Sequence, residues 1–80
     1  MKTLVVVNPY SAHGSTAAKW AEKHDLLKQK IGNFDVALST AAGDATILAR
    51  KGLKNGYQRI IGVGGDGTVN EVINGFFEDN

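Results

Sequence analysis

Residues 3–7 read TLVVV. Five consecutive β-branched or apolar residues, with no polar alternation, describe a strand that shows no face to water. Such a strand belongs inside a sheet covered on both sides. That argues against a two-layer antiparallel sheet with a solvated face and for parallel strands flanked by helices. Asn8-Pro9 ends the run, because proline brings no N–H to a ladder and fixes its own φ.

The rest of the chain supplies the cover. Ser15 or Thr16 can cap a helix whose apolar face is Ala17, Trp20, Ala21, His24, Leu27 and Ile31, at three- and four-residue spacing. Lys19, Glu22, Lys23, Lys28 and Lys30 occupy much of the other side, and Gly32-Asn33 stops it. Phe34, Val36 and Leu38 then alternate with Asp35, Ala37 and Ser39, which predicts a half-buried strand at a sheet edge. Gly43-Asp44 opens a second helix with Ala45, Leu48, Ala49 and Gly52 inward, and Asn55-Gly56 closes it. Residues 59–63 (RIIGV) form a third strand. A third helix runs from Thr68, with Val69, Val72, Ile73 and Phe76 inward.

This βαβαβα order implies parallel pairing with right-handed crossovers. The buried first strand and edge-like second strand favour the spatial order 2-1-3. The expected fold is therefore α/β, a three-layer Rossmann-like arrangement with a parallel sheet. It has a topological switch between strands one and three, where ligands bind at the carboxyl ends of the strands. Residues 8–15, 39–43 and 64–68 leave that edge and should converge.

Composition narrows the functional classes. With 80 residues the chain is one small domain or part of one. Nine lysines and arginines against eight acids, scattered along the chain, form no stripe for nucleic acid. The absence of cysteine excludes a disulfide framework and a thiolate metal site, and fits a cytoplasmic setting. Residues 4–7 are too short for a signal-peptide core, and no run approaches the ~20 apolar residues of a transmembrane span.

Residues 59–75 (RIIGVGGDGTVNEVING) join the third strand to the third helix through a glycine cluster. Such a loop presents free N–H groups and the positive end of a helix dipole. Gly64, Gly65 and Gly67 remove the side chains that would hold a phosphate away, and Thr68 can donate to an oxygen or cap the helix. A tight turn alone would explain one such glycine more readily than three. Gly62, Gly64 and Gly67 satisfy G-x-G-x-x-G, but the loop lacks the lysine of a Walker P-loop. Asp66 would repel phosphates if bare. It must act through a metal, meet a ligand hydroxyl, or hold the loop by backbone N–H bonds. Glu71 follows Thr68 by three, as in a capping box, and a ligand role is its alternative. Asn70 is near enough to touch a ligand, whereas Asn74 reads as a surface amide. His13 fits a solvated loop and His24 a helix–core boundary. Trp20 reads as core, and Lys51, Lys54 and Arg59 as a solvated basic face.

Gly64-Gly65-Asp66-Gly67-Thr68 followed by residues 69–75 (VNEVING) resembles the nucleotide-binding motif of the diacylglycerol kinase catalytic domain family, which includes bacterial lipid kinases and sphingosine kinases. Val7-Asn8-Pro9-Tyr10-Ser11 with Gly14 resembles its first-strand motif, and Thr40 with Gly43-Asp44-Ala45 its second. The GGDGT core is shared with NAD kinases and phosphofructokinases; VNEVING is more particular to the lipid kinases. Ala12 stands where the family often has glycine.

The resemblance implies the N-terminal part of a NAD kinase/diacylglycerol kinase-like fold, with residues 1–80 as a partial nucleotide-binding domain. It implies an ATP site lined by Asn8, Pro9, Ser11, Thr40, Gly64, Gly65, Asp66, Gly67, Thr68, Asn70 and Glu71, with Mg²⁺ assisting and Asp66 its indirect ligand. The implied activity is transfer of the ATP γ-phosphate to a lipid hydroxyl, diacylglycerol or related, at a membrane surface. The catalytic base is expected in a second domain outside these residues, so the chain alone is expected to be inactive. Phe76 and Phe77 offer an apolar surface for association. An NAD kinase-like segment and a non-catalytic nucleotide-binding module are the alternatives.

Overall fold

The computed structural model describes residues 2–10, 14–64, 71–73, 75 and 76. Strand β1 (Thr3–Val7) is buried along its whole length, as a strand without a polar face requires. Helix α1 (Ser15–Ile31), strand β2 (Asp35–Leu38), helix α2 (Asp44–Lys54) and strand β3 (Arg59–Val63) follow. Residues 71–73 and 75 are helical, on the predicted third helix. β1 pairs in parallel with β2 on one side and β3 on the other, giving the order β2-β1-β3 expected from the sequence.

Register assigns the two faces. Leu4 and Val6 stand beside Ile60 and Gly62, and Val6 also beside Ala37. On this face Leu4, Val6, Ala45, Ala49 and Val72 form the core, with Ala37, Leu48, Tyr57 and Ile60 packed against it. Val5 and Val7 stand beside Ile61 and Val63 on the other face. There Trp20 and Leu27 of α1 border a groove of about 260 Å³ with Ile61 and Val63. The chain steps from β1 to β2 and back across β1 to β3. Crossovers of one hand then place α1 and α2 on opposite faces.

The helix boundaries follow local chemistry. Gly32 and Gly56 take positive φ just beyond α1 and α2, where the chain must turn out of the helix. The start of α1 departs from expectation. Its N-cap is Gly14, at φ 87°, and neither Ser15 nor Thr16 occupies that position. Thr16 lies inside the helix and is buried.

Three predicted faces are corrected. On β2, Val36 and Leu38 are 40% and 54% exposed, and the small Ala37 faces the core. The register sets this: Val36 and Leu38 share a face with Val5 and Val7, but α1 leans over β1 and β3 and leaves the β2 edge open. Phe34 is the exception, meeting the His24 ring edge-on at 5.0 Å. On α1, Ala21 is exposed, while Trp20, His24, Leu27 and Ile31 are half-buried. On the third helix Val72 is buried as expected, but Ile73 and Phe76 are about half exposed. They border a groove of about 290 Å³ with Ile60 and Gly62 beside the open edge of β3. The side chain of Ala17, together with Val69, Asn74 and Phe77, lies outside the described residues.

Candidate functional site

The carboxyl ends of the three strands lie side by side. The Asn8 N–H donates to the Val63 carbonyl at 2.9 Å, and the Ser39 N–H to the Val7 carbonyl at 2.7 Å. Each bond carries the ladder one residue past a strand end, so Asn8, Ser39 and Gly64 enter their loops from one edge. This brings Asn8, Pro9, Thr40 and Gly64 to the same end of the sheet. Ser11, His13, Gly65, Asp66, Gly67, Thr68 and Asn70 lie outside the described residues.

The loops use their polar groups differently. Asn8 Oδ1 accepts the Tyr10 N–H at 3.0 Å, an Asx turn that carries the chain around Pro9. Asp44 organises the second loop. Its Oδ2 accepts the Thr40 hydroxyl at 2.8 Å and the N–H groups of Thr40 and Ala41, each at 3.0 Å. The Thr40 hydroxyl, then the Thr40 N–H, hold the Asp44 carboxyl below the usual aspartate range; partial desolvation opposes them, and the Ala41 N–H adds to the lowering. The Thr40 proton is thus committed to Asp44, and the hydroxyl keeps its capacity as an acceptor.

Glu71 caps a helix, but across the fold. Its Oε1 accepts the Gly43 N–H at 3.0 Å and the Ala45 N–H at 3.3 Å, both at the start of α2. The Asp44 N–H between them donates to the Ala41 carbonyl at 3.1 Å. Three successive N–H groups of that helix end are therefore satisfied. Asp44 was legible only as part of a motif. The signal that could have found its role is an acid in the first helical turn, four residues after a threonine.

The two helix starts at this edge differ in charge. α2 carries the Asp44 and Glu71 carboxylates at its N-terminus. α1 has no acid in its first turn and, among the described residues, no side-chain cap. Carboxylates oppose an anion at the first, and the second carries no such charge in its first turn. Among the described residues no group of three His, Cys, Asp or Glu side chains could hold a metal ion. No helix among them is long and apolar enough to cross a membrane.

The profile described as the diacylglycerol kinase catalytic domain matches residues 2–80. A diacylglycerol kinase of Staphylococcus haemolyticus is 58% identical over 76 residues, covering 92% of this chain and 22% of its own length. One from Staphylococcus carnosus is 37% identical over 76 residues, covering 92% of this chain and 24% of the relative. Among solved structures, a diacylglycerol kinase from Bacillus anthracis str. Sterne superposes with a TM-score of 0.76 at 30% identity, over 92% of this chain and 27% of that one. The chain thus spans about a quarter of the length of the curated relatives it matches.

Proposed function

The chain belongs to the diacylglycerol kinase catalytic domain family, and on that premise we propose that it carries the ATP-binding part of a lipid kinase. The proposed reaction transfers the ATP γ-phosphate to the hydroxyl of diacylglycerol or a related lipid. The observation that carries the reading is the meeting of Asn8, Thr40 and Gly64 at the carboxyl edge of one parallel sheet. In this reading Asn8, Pro9, Ser11, Thr40, Gly64, Gly65, Asp66, Gly67, Thr68 and Asn70 line the nucleotide site, and Glu71, its carboxylate engaged by the Gly43 and Ala45 N–H groups, stands behind it. The phosphates lie toward α1 and the glycine loop, away from the two carboxylates at the start of α2.

Catalysis of phosphoryl transfer rests on positioning and on stabilising charge as the γ-phosphoryl group moves. Backbone N–H groups of a glycine-rich loop suit that task, since backbone dipoles need little reorganisation as charge develops. The described carboxylates of Asp44 and Glu71 are engaged by N–H and O–H donors, and they do not form a metal cage. Mg²⁺ in this reading accompanies the nucleotide phosphates, with Asp66 as its indirect protein contact. The base that takes the lipid hydroxyl proton is proposed to come from residues beyond these 80. The membrane is met only peripherally.

Titration of the purified protein with ATP and Mg²⁺, followed by backbone amide shifts, tests the site. Shifts should concentrate at Asn8, Thr40 and residues 64–68. Perturbations scattered elsewhere overturn it. Gly65→Val and Gly67→Val should each abolish ATP binding in a folded protein, because a side chain there intrudes on the phosphate or strains the backbone.

A further inference from the structure

We propose that Glu71 is a positioning residue: it sets where the Thr40 loop stands relative to the chain leaving the glycine loop. The inference deepens the nucleotide-site reading above and rests on it for its functional half. Its structural half stands on three contacts between the third helix and α2. Glu71 Oε1 holds the N–H groups of Gly43 and Ala45. The Glu71 carbonyl accepts the Thr46 hydroxyl at 2.7 Å. One turn later Gly75 lies against the backbone of Thr46 and Arg50.

The chain of contacts then runs outward. Within the first turn of α2, Asp44 gathers the Thr40 hydroxyl, the Thr40 N–H and the Ala41 N–H on one oxygen. Thr40 is therefore fixed to α2, and α2 is fixed through Glu71 to the helix that follows residues 64–70. The two segments are far apart in sequence, the partners Gly43 and Glu71 standing 28 positions apart. No ladder bond joins them, because β2 and β3 lie on opposite sides of β1. Glu71 supplies a link that the sheet does not.

The Glu71 side chain acts here as an acceptor, and a glutamine oxygen can accept the same two N–H bonds. A direct role toward nucleotide or metal would need its charge. Glu71→Gln and Glu71→Ala therefore separate the two. Amide hydrogen exchange at Gly43 and Ala45 is measured without nucleotide, and ATP affinity is measured in parallel. Thr46→Val is the control, since it removes the hydroxyl bond to the Glu71 carbonyl and leaves the cap in place.

Glu71→Ala should speed exchange at Gly43 and Ala45 by about tenfold and weaken ATP by a similar factor, from the loss of charge-assisted bonds. Glu71→Gln should hold both values within about threefold of the parent, the weaker neutral acceptor accounting for the remainder. Thr46→Val should leave exchange at both amides and ATP affinity near the parent values. Unchanged exchange in Glu71→Ala overturns the proposal. So does a Glu71→Gln protein that keeps its amide protection but binds ATP as poorly as Glu71→Ala. If the parent protein binds no ATP while the exchange pattern appears as described, the nucleotide reading fails and the structural tie through Glu71 is supported.

Discussion

Gly75 lies so close to α2 that a Cβ added to it would stand 2.7 Å from the Ala49 Cβ and 2.7 Å from the Thr46 carbonyl oxygen. The Arg50 nitrogen would be 3.2 Å away. Helix backbone cannot rotate aside, so the third helix would have to lift. Gly75→Ala gains about 1 kcal/mol of helix propensity and loses about 1–3 kcal/mol to overpacking. We expect a net destabilisation of about 1 kcal/mol, read as a lower urea midpoint. A midpoint at or above that of the parent would show that the helices separate freely.

Gly52 is also close-packed, but against different atoms. An added Cβ would meet Leu4 Cδ2 at 2.7 Å and Ile60 Cδ1 at 2.9 Å, the ends of two flexible side chains. These tips can change rotamer, so propensity and crowding nearly offset. Gly52→Ala should shift stability by less than about 1 kcal/mol and less than Gly75→Ala does. The reverse ranking in the same urea series contradicts the packing account.

Asp44 makes the start of α2 sensitive to acid. Its folded-state pKa is lowered by the Thr40 hydroxyl and N–H bonds. A group depressed on folding contributes fully above its unfolded pKa, and the contribution is lost as pH falls through the folded value. Stability should therefore be flat through neutral pH and drop below about pH 4. In Asp44→Asn that part of the acid loss should shrink. An acid profile identical to the parent's would remove Asp44 from the account.

Tyr57 gives the opposite limit. Its hydroxyl donates to Asp35 Oδ2 at 2.5 Å, and the Lys2 ammonium stands 4.4 Å from the ring centroid. The bond to Asp35, with desolvation and the carboxylate charge behind it, raises the phenol pKa. A group raised on folding contributes fully below its unfolded pKa, and the contribution is lost as pH rises through the folded value. That loss begins above about pH 10. Tyrosinate absorbance should show one late-titrating phenol that moves earlier in Asp35→Asn. No change in that variant would mean that the bond does not govern the titration.

The sequence by itself determined the elements and their order. An uninterrupted apolar β1 could only be central, and Ala45, Ala49 and Gly52 were legible as the inner face of α2 because helical spacing is a local property. The ends at Gly32 and Asn55-Gly56 followed from the same short-range chemistry. At the site, the meeting of Asn8, Thr40 and Gly64 followed from strand order. What each side chain does there did not. Alternation in β2 gives a period of two but cannot say which face a helix will cover, and the seating of α1 left Val36 and Leu38 outside. Ile73 and Phe76 sit on an apolar helical stripe, yet the close approach through Gly75 turned the third helix toward α2 and left both half exposed. Glu71 is the sharpest case. Its spacing from Thr68, which lies outside the described residues, suggested a cap on its own helix; the tertiary structure brings the Gly43 and Ala45 N–H groups of another helix to its carboxylate. Local spacing describes only the donors a side chain can reach along its own segment. Packing decides which donors from elsewhere arrive beside it.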